Sequence, residues 1–267
     1  MKAIFAVLFI SLAAIASAGT VSLTGTCPSA IANGTASFML NNTGNESATN
    51  LIVTLHFIGN ATSNRSTQLN SIGPAQSVNI PLPVAGHGGT GTFGSYFLVV
   101  YQQDSSVFSA IFPCLIDIGN GTTSQILAQS SVARTSKNSS KVDLSMINGG
   151  YGTINASVDL VLPLGLSTRG NTNTHVDVKS TSKSTISFPV SYPEGSGIYT
   201  GAVITSYSIA GVDYATLSVV NIDTSPSSSG IAPGTLLGYA VGVVVVLFLL
   251  LIGRSLLVRR RKVSASS

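Results

Sequence analysis

The sequence contains no tryptophan and only two cysteines, and charged side chains occupy just 8% of its 267 positions. A typical soluble domain is about 25% charged, so this composition is not that of an ordinary cytosolic globule. Aspartate and glutamate together number nine, which excludes the acid-rich surface of a halophilic protein. The low charge also excludes the dense ion-pair networks typical of hyperthermophilic proteins.

The N-terminal residues 1–18 have the three parts of a secretory signal peptide. Lys2 is the positive residue at the start, residues 3–15 form an apolar segment, and Ala16-Ser17-Ala18 is a small-residue cleavage site. We predict cleavage before Gly19. The alternative is an uncleaved membrane anchor, for which the apolar segment is short.

A second apolar segment, residues 231–253, contains no charged residue. At about 1.5 Å per residue, a helix of this length covers about 34 Å, enough to cross a hydrocarbon core of about 30 Å. Basic residues follow it and predict that the tail, 254–267, stays in the cytoplasm: Arg254, Arg259, Arg260, Arg261 and Lys262. We therefore predict a single-pass protein of the cell membrane with its N-terminal ectodomain outside and the lipid bilayer as one partner.

The formal net charge of +4 belongs to these two ends. One basic residue lies in the signal peptide and five lie in the tail, whereas residues 19–230 hold seven basic and nine acidic side chains. The predicted ectodomain is therefore slightly acidic, and nucleic acid is not a predicted partner.

Residues 19–230 show the pattern of β-strands rather than helices. Leu51, Val53, Leu55 and Phe57 alternate with other residues, the two-residue period of a half-buried strand. The pattern returns about 107 positions later, and the copies match over three longer stretches: 38–55 with 145–162, 77–81 with 185–189, and 96–118 with 199–222.

Each copy has about 100 residues and about seven short strands, the size of an immunoglobulin-like sandwich. We therefore predict an all-β fold with two tandem Ig-like β-sandwiches at 19–121 and 122–224. A flexible linker, 225–230, joins them to the membrane span because its composition, SPSSSG, is that of a flexible spacer.

The order of short motifs in each copy resembles a known family. It runs from N-x-G through a strand to PLPV at 81–84 or ISFPV at 186–190, and then to G-x-Y at 197–199. This order resembles the Ig-like CARDB-type adhesion repeats of archaeal cell-surface proteins, which implies tandem sandwiches, a C-terminal membrane anchor and a role in adhesion. The absence of tryptophan departs from antibody domains, which keep one in the core.

Cys27 and Cys114 both fall in the first repeat. An isolated pair of cysteines in an exported chain favours a disulfide bond. The alternative is a pair of free, buried thiols. The second repeat has no cysteine and must fold without such a bond.

Eight N-x-S/T sequons indicate a glycoprotein, since an exported chain meets the glycosylation machinery. They begin at Asn33, Asn41, Asn45, Asn60, Asn64, Asn120, Asn138 and Asn155. Most lie at predicted turns.

The sequence has only weak matches to catalytic, cofactor-binding or metal-binding motifs. Gly86, Gly88 and Gly91 have the G-x-G-x-x-G spacing, but a strand follows them instead of the helix that a dinucleotide site needs, so a loop is predicted. The three histidines, His56, His87 and His175, lack metal-ligand spacing, and His56 lies on an outward strand face. The aspartates of the second repeat are scattered and form no calcium-binding loop: Asp143, Asp159 and Asp177. We predict no catalytic residue, no metal ligand and no cofactor.

Gly234, Gly238 and Gly242 form a small-residue stripe on the predicted span, where a second copy or a partner helix could approach closely. The function predicted from all these features is structural or adhesive, with non-catalytic binding of a protein or glycan in the cell envelope. The alternative is an accessory or sensor subunit of a membrane transporter or secretion complex.

Overall fold

Every regular element in the described part of the chain is a β-strand, which confirms the predicted all-β class. The structure is a computed structural model that describes residues 19–31, 34–59, 65–84, 89–193, 195 and 197–225. The predicted signal peptide, span, basic residues of the tail and glycine stripe lie outside these residues. Among the residues that are described, no helix is long and apolar enough to cross a membrane.

The strands of the described residues fall into two consecutive groups, one for each sequence repeat. The first group is β1 (Leu23–Thr26), β2 (Thr35–Asn42), β3 (Ala48–Phe57), β4 (Arg65–Ile72), β5 (Ser77–Pro83), β6 (Thr90–Gln103) and β7 (Ser106–Ile118). The second is β8 (Ile126–Ser136), β9 (Ser139–Asn148), β10 (Thr153–Val161), β11 (Ser167–Thr168), β12 (Asn173–Lys179), β13 (Lys183–Ser191), β14 (Ile198–Ile209) and β15 (Val212–Asp223).

The two groups share one strand order. In the first, sheet β1-β2-β5 faces the strands β4-β3-β6-β7, and in the second, β8-β9-β13-β11 faces β12-β10-β14-β15. Each strand of the first group therefore has a counterpart in the second. The second group has one additional short strand, β11. Pairing within each group is antiparallel, and a parallel contact between β6 and β15 joins the two larger sheets.

Each group encloses its own apolar core, because alternate side chains of both sheets point inward. In the first core, Phe38 of β2 stacks on Phe97 of β6 with ring centroids 4.2 Å apart. The predicted inward residues Leu51, Val53 and Leu55 are all fully buried there.

Cys27 and Cys114 form a disulfide bond that joins the segment after β1 to β7. Their Cα atoms are 5.9 Å apart and the two residues are separated by 87 positions. In chain-entropy models, a disulfide that closes a loop of this length stabilises the folded state by about 4–5 kcal/mol. The bond constrains the first core, whereas the second relies on packing and hydrogen bonds.

The repeat extends to an identical buried side chain, Asn42 at the end of β2 and Asn148 at the end of β9. In both, Nδ2 donates to the main-chain carbonyl oxygens four and thirty residues ahead. In both, Oδ1 accepts from the N–H two residues ahead. The two asparagines are 106 positions apart, in agreement with the spacing of about 107 predicted from the sequence.

Candidate functional site: a cleft between the two sandwiches

The two sandwiches pack directly against each other through a third apolar cluster. Four residues from each sandwich form it: Ile58, Tyr96, Leu98 and Ile111 from the first, and Val161, Ala202, Ile204 and Leu217 from the second. The outer faces of β6 and β7 therefore cover the outer faces of β10, β14 and β15.

Gly91 lies where the main chains of the two sandwiches come closest. It pairs in parallel with Asp213, its φ is +132°, and a Cβ added to it would lie 2.1 Å from the Asp213 carbonyl oxygen. This glycine of the G-x-G-x-x-G spacing therefore allows a close approach between sandwiches. Gly86, His87 and Gly88 lie outside the described residues.

The connection between the sandwiches is fixed by hydrogen bonds around Thr92 and Thr122. Thr122 N donates to Thr92 Oγ1 at 2.8 Å, and Thr92 N donates to Thr122 Oγ1 at 3.1 Å. Thr122 Oγ1 also donates to the main-chain oxygen of Asp213 at 2.8 Å. Together with the apolar cluster, these bonds hold the sandwiches in one arrangement.

Beside this junction is a cleft of about 890 Å³, within the size range of small-molecule sites. The second sandwich contributes a polar lining that includes Asn155, Ser157, Asp159, Asn173, His175, Ser206, Ser208 and Asp213. The first contributes a largely apolar lining that includes Phe57, Ile58 and Phe93. The cleft therefore has a polar side from the second sandwich and a largely apolar side from the first, and Tyr207 and Tyr214 of the second sandwich complete the lining.

The polar side is an ordered ladder on the outer face of β10 and β12. Cross-strand pairing places Ser157 opposite His175 and Asp159 opposite Asn173. Asn173 Nδ2 donates to Asp159 Oδ1 at 2.7 Å and to Ser157 Oγ at 2.8 Å, and Ser157 Oγ donates to Asp159 Oδ2 at 3.3 Å. These bonds orient the carboxylate at the centre of the ladder.

Burial raises the pKa of Asp159 above its usual value, because a partly desolvated carboxylate is costly to ionise. Hydrogen bonds from Asn173 and Ser157 and the charge of His175 oppose this rise without cancelling it. The pKa of Tyr96 is raised by burial and by the negative charge of Asp159. Asp159 also lines a second cavity of about 330 Å³ that includes Tyr96, so it lies between the two cavities.

Ser157, His175 and Asp159 are the residue types of a hydrolytic triad, but their bonds differ from those of a triad. Within the described residues, Ser157 Oγ bonds with Asp159 and Asn173, and no hydrogen bond links it to His175. A serine nucleophile requires a base within hydrogen-bond reach. The arrangement in this structure is that of a hydrogen-bonding surface.

The other candidate ligands are dispersed in the structure. Asp143 lies on β9, away from the cleft lining, where it accepts a bond from Ser187 and pairs with Lys141 at 3.0 Å. Asp177 lies on β12 and accepts a bond from Asn155 at 2.8 Å. No group of three or more His, Cys, Asp or Glu side chains able to hold a metal exists among the described residues.

His56 corrects one expectation. The sequence placed it on an outward strand face as a surface residue, whereas it is half-buried and its ring stacks on Tyr96 at 4.7 Å. The outward face of β3 is partly covered at this point, because Tyr96 belongs to the junction between the sandwiches.

The structure separates the sequons by accessibility. Asn45, Asn120, Asn138 and Asn155 are exposed, and Asn155 lines the cleft. Asn41, on the central strand β2, is half-buried and its side-chain oxygen is buried. Asn33, Asn60 and Asn64 lie outside the described residues.

Sequence reasoning did not find the cleft, although part of its pattern is visible. Asn155, Ser157 and Asp159 alternate along one strand, and Asn173, His175 and Asp177 alternate along the next. This two-residue period predicts polar strand faces, but only the fold shows that they are paired and lie against the first sandwich.

No family model and no curated protein matches the chain. Among solved structures, it is similar to trypsin-activated alpha-2-macroglobulin from Escherichia coli, with 10% identity, 75% of this chain and 18% of that chain covered, and a TM-score of 0.31. Red sea bream transglutaminase is 11% identical, with coverages of 81% and 33% and a TM-score of 0.26.

The CsuC–CsuE chaperone and tip adhesion subunit complex of Acinetobacter baumannii is 15% identical, with coverages of 74% and 98% and a TM-score of 0.28. The chain spans about a fifth of the length of the macroglobulins that it matches. Similarity at this level carries no information about function.

Proposed function

We propose that the chain is a membrane-anchored, N-glycosylated cell-surface protein with a structural or adhesive role in the cell envelope. Two tandem Ig-like sandwiches form its ectodomain, a helix at 231–253 anchors it, and the residues after 253 lie in the cytoplasm. Its activity is the non-catalytic binding of another protein or a glycan.

The disulfide bond is the observation that carries this proposal. Structural disulfides form and persist in oxidising compartments and are rare in the cytosol, where thiols are kept reduced. Both cysteines of the chain are used in the bond, and the pair staples the sandwich nearest the predicted signal peptide. This is the chemistry of an exported domain, and it supports a location outside the membrane.

The packing between the sandwiches supports a binding role. A polar ladder and an apolar surface from different sandwiches meet in one cleft, and the junction around Thr92, Thr122 and Asp213 holds their relative position. A preorganised surface binds with less loss of conformational entropy than two freely moving domains.

Protease treatment of intact cells tests the location. We expect the protease to release fragments of residues 19–225 from cells that carry the full chain, while an epitope tag after Ser267 stays protected until the cells are lysed. A matched chain that ends at Gly230 should appear in the medium, because it lacks the anchor. Full protection of the ectodomain on intact cells, or retention of the shortened chain inside them, would contradict the proposal.

A further inference from the structure

We propose that the cleft between the sandwiches binds an uncharged saccharide. The saccharide's hydroxyl groups would bond to the ladder of Ser157, Asp159, Asn173 and His175, and its C–H surface would lie against the apolar side of the cleft. This proposal names the ligand class for the proposed binding role and rests on that role.

The ladder offers the donors and acceptors that a row of hydroxyl groups requires. Each ionised carboxylate has about four acceptor positions, and Asp159 uses two of them in its bonds to Asn173 and Ser157. Asn173 Oδ1 accepts no bond from the protein in the part of the chain that the structure describes. Hydroxyl groups, which both donate and accept, can satisfy these mixed positions at once.

The rest of the cleft supplies apolar and aromatic surface. Ile58 and the mostly buried rings of Phe57 and Phe93 line it from the first sandwich. Tyr214 lines it from the second, where its ring stacks at 5.2 Å on Tyr207, a buried residue of the second core. Aromatic side chains combine apolar contact area with defined geometry, which suits a ring that is apolar on its faces and polar at its edge. Ligand sites typically combine such a lining with a few oriented polar groups.

The charge of the cleft selects against anionic ligands. Among the described residues, its lining contains the carboxyl groups of Asp159 and Asp213 and no lysine or arginine, and the described lining of the second cavity likewise has neither. Phosphates, sulfates and uronic acids would therefore meet two like charges, with His175 as the one side chain of the described lining that can carry a positive charge. Uncharged saccharides meet no such repulsion.

The pairing of β10 leaves no main-chain groups for an extended peptide at the centre of the ladder, so that only the outer edge of β12 could accept one. Peptides that add to a sheet bind through free main-chain groups at an edge. β10 is paired on one side with β12 and on the other with β14, so its main chain is already used. The groups that β10 presents to the cleft are side chains, which suits recognition of hydroxyl groups.

The saccharide can come from two sources. It can belong to another molecule, or it can be the chain's own glycan, since the exposed Asn155 begins a sequon and lines the same cleft. A glycan on Asn155 would replace the present bond from its Nδ2 to Asp177. The chemistry of recognition is the same in both cases.

Isothermal titration of the full-length chain, in a detergent without a sugar headgroup, tests the proposal. The probes are maltohexaose, cellohexaose and chitohexaose, with a heparin hexasaccharide as the anionic counterpart. We expect at least one neutral probe to bind, with about tenfold weaker affinity in Asp159→Asn and Asn173→Ala, because each loses part of the ladder. Asp143→Asn, on β9, is the matched control and should bind as the wild type does.

The titration is repeated with Asn155→Gln, which keeps an amide but removes the sequon. Binding by the wild type supports a saccharide from another molecule, and binding only by Asn155→Gln supports the chain's own glycan as the native occupant. The proposal is overturned if no neutral probe binds either protein, if heparin binds more tightly, or if the ladder substitutions leave affinity unchanged. The cell-surface experiment measures location, so either proposal can fail while the other stands.

Discussion

Gly91 of the first sandwich pairs in parallel with Asp213 of the second, at a distance that leaves no room for a side chain. The pair is the point where the two larger sheets are joined, and it lies beside the cleft because Asp213 also lines it. The shape of the cleft therefore depends on a contact that only glycine permits.

We expect Gly91→Ala to loosen the junction and to lower the free energy of unfolding by about 1–3 kcal/mol, since the added Cβ must push two main chains apart. Hydrogen exchange should become faster at Leu98 and Ile204, which are covered in the junction. Gly165→Ala is the control because Gly165 also has a positive φ, +93°, but open space around its Cβ. Equal effects of the two substitutions would show that backbone strain, not the contact, matters at Gly91.

The buried asparagines give a second expectation. Asn148→Ala removes an amide that bonds with three main-chain groups and leaves them without that partner, so the free energy of unfolding should fall by about 1–3 kcal/mol. Asn42→Ala should have a similar cost in the first sandwich. Urea unfolding measures both. Asn221→Ala, at an exposed site, is the control, and a cost as small as that of the control would contradict a structural role for the buried amides.

The strands could be predicted because their residue pattern is local in the sequence. The disulfide could be predicted because only one pairing of the cysteines is available. Strands β3 and β10 show the two-residue period, and two cysteines in an exported chain leave one intramolecular pairing. The junction was less visible because a strand buried on both sides loses its alternation. Ala202, Val203 and Ile204 are all buried, with Val203 in the second core and its two neighbours in the junction.

The cleft depends on contacts between residues far apart in sequence. Phe57 and His175 line the same space, although no local pattern connects them. The spacing of Gly86, Gly88 and Gly91 is compatible with two structures. Glycine permits a close approach of the main chain, and both a contact between domains and a phosphate site need such an approach. Knowledge of the packing of the two sandwiches is needed to tell these apart.

Two carboxylates should give opposite pH effects on stability. Asp159 has a raised pKa, so its contribution is fully present below the unfolded value of about 3.8 and is lost as the pH rises through its folded pKa. The pKa of Asp143 is lowered by bonds from Ser187 and Lys141, so its contribution is present above the unfolded value and is lost as the pH falls through its folded pKa.

Urea unfolding at about pH 3 and about pH 7 measures this difference. Relative to the wild type, Asp159→Asn should gain stability between the lower and the higher pH, and Asp143→Asn should lose it. Each substitution keeps the size of the side chain but replaces one acceptor oxygen by an NH2 group. The cost of that lost bond does not depend on the titration of the carboxyl, so it cancels when the two pH values are compared. A change of the same sign in both variants would contradict the assigned causes of the two pKa shifts.

The accessibility of the sequons predicts unequal glycosylation. Asn45, Asn120 and Asn138 are exposed and should carry glycans. Asn41 should not, because its side chain is half-buried on the central strand of a sheet and its Oδ1, on the same amide as the nitrogen to which a glycan attaches, is buried. The hydroxyl group of its sequon, Thr43 Oγ1, also donates to the Ser22 carbonyl oxygen at 3.1 Å. Glycopeptide mass spectrometry of the exported protein measures the occupancy of each site.

Two matched variants separate folded accessibility from sequence alone. Asn138→Gln should lower the apparent mass by one glycan, and Asn41→Gln should leave it unchanged, although both remove an N-x-S/T sequon. Occupancy at Asn41 equal to that at Asn138 would mean that the sugar is added before β2 pairs with β1 and β5, since the buried oxygen is a property of the paired strand. Accessibility in the folded sandwich would then not determine which sites are used.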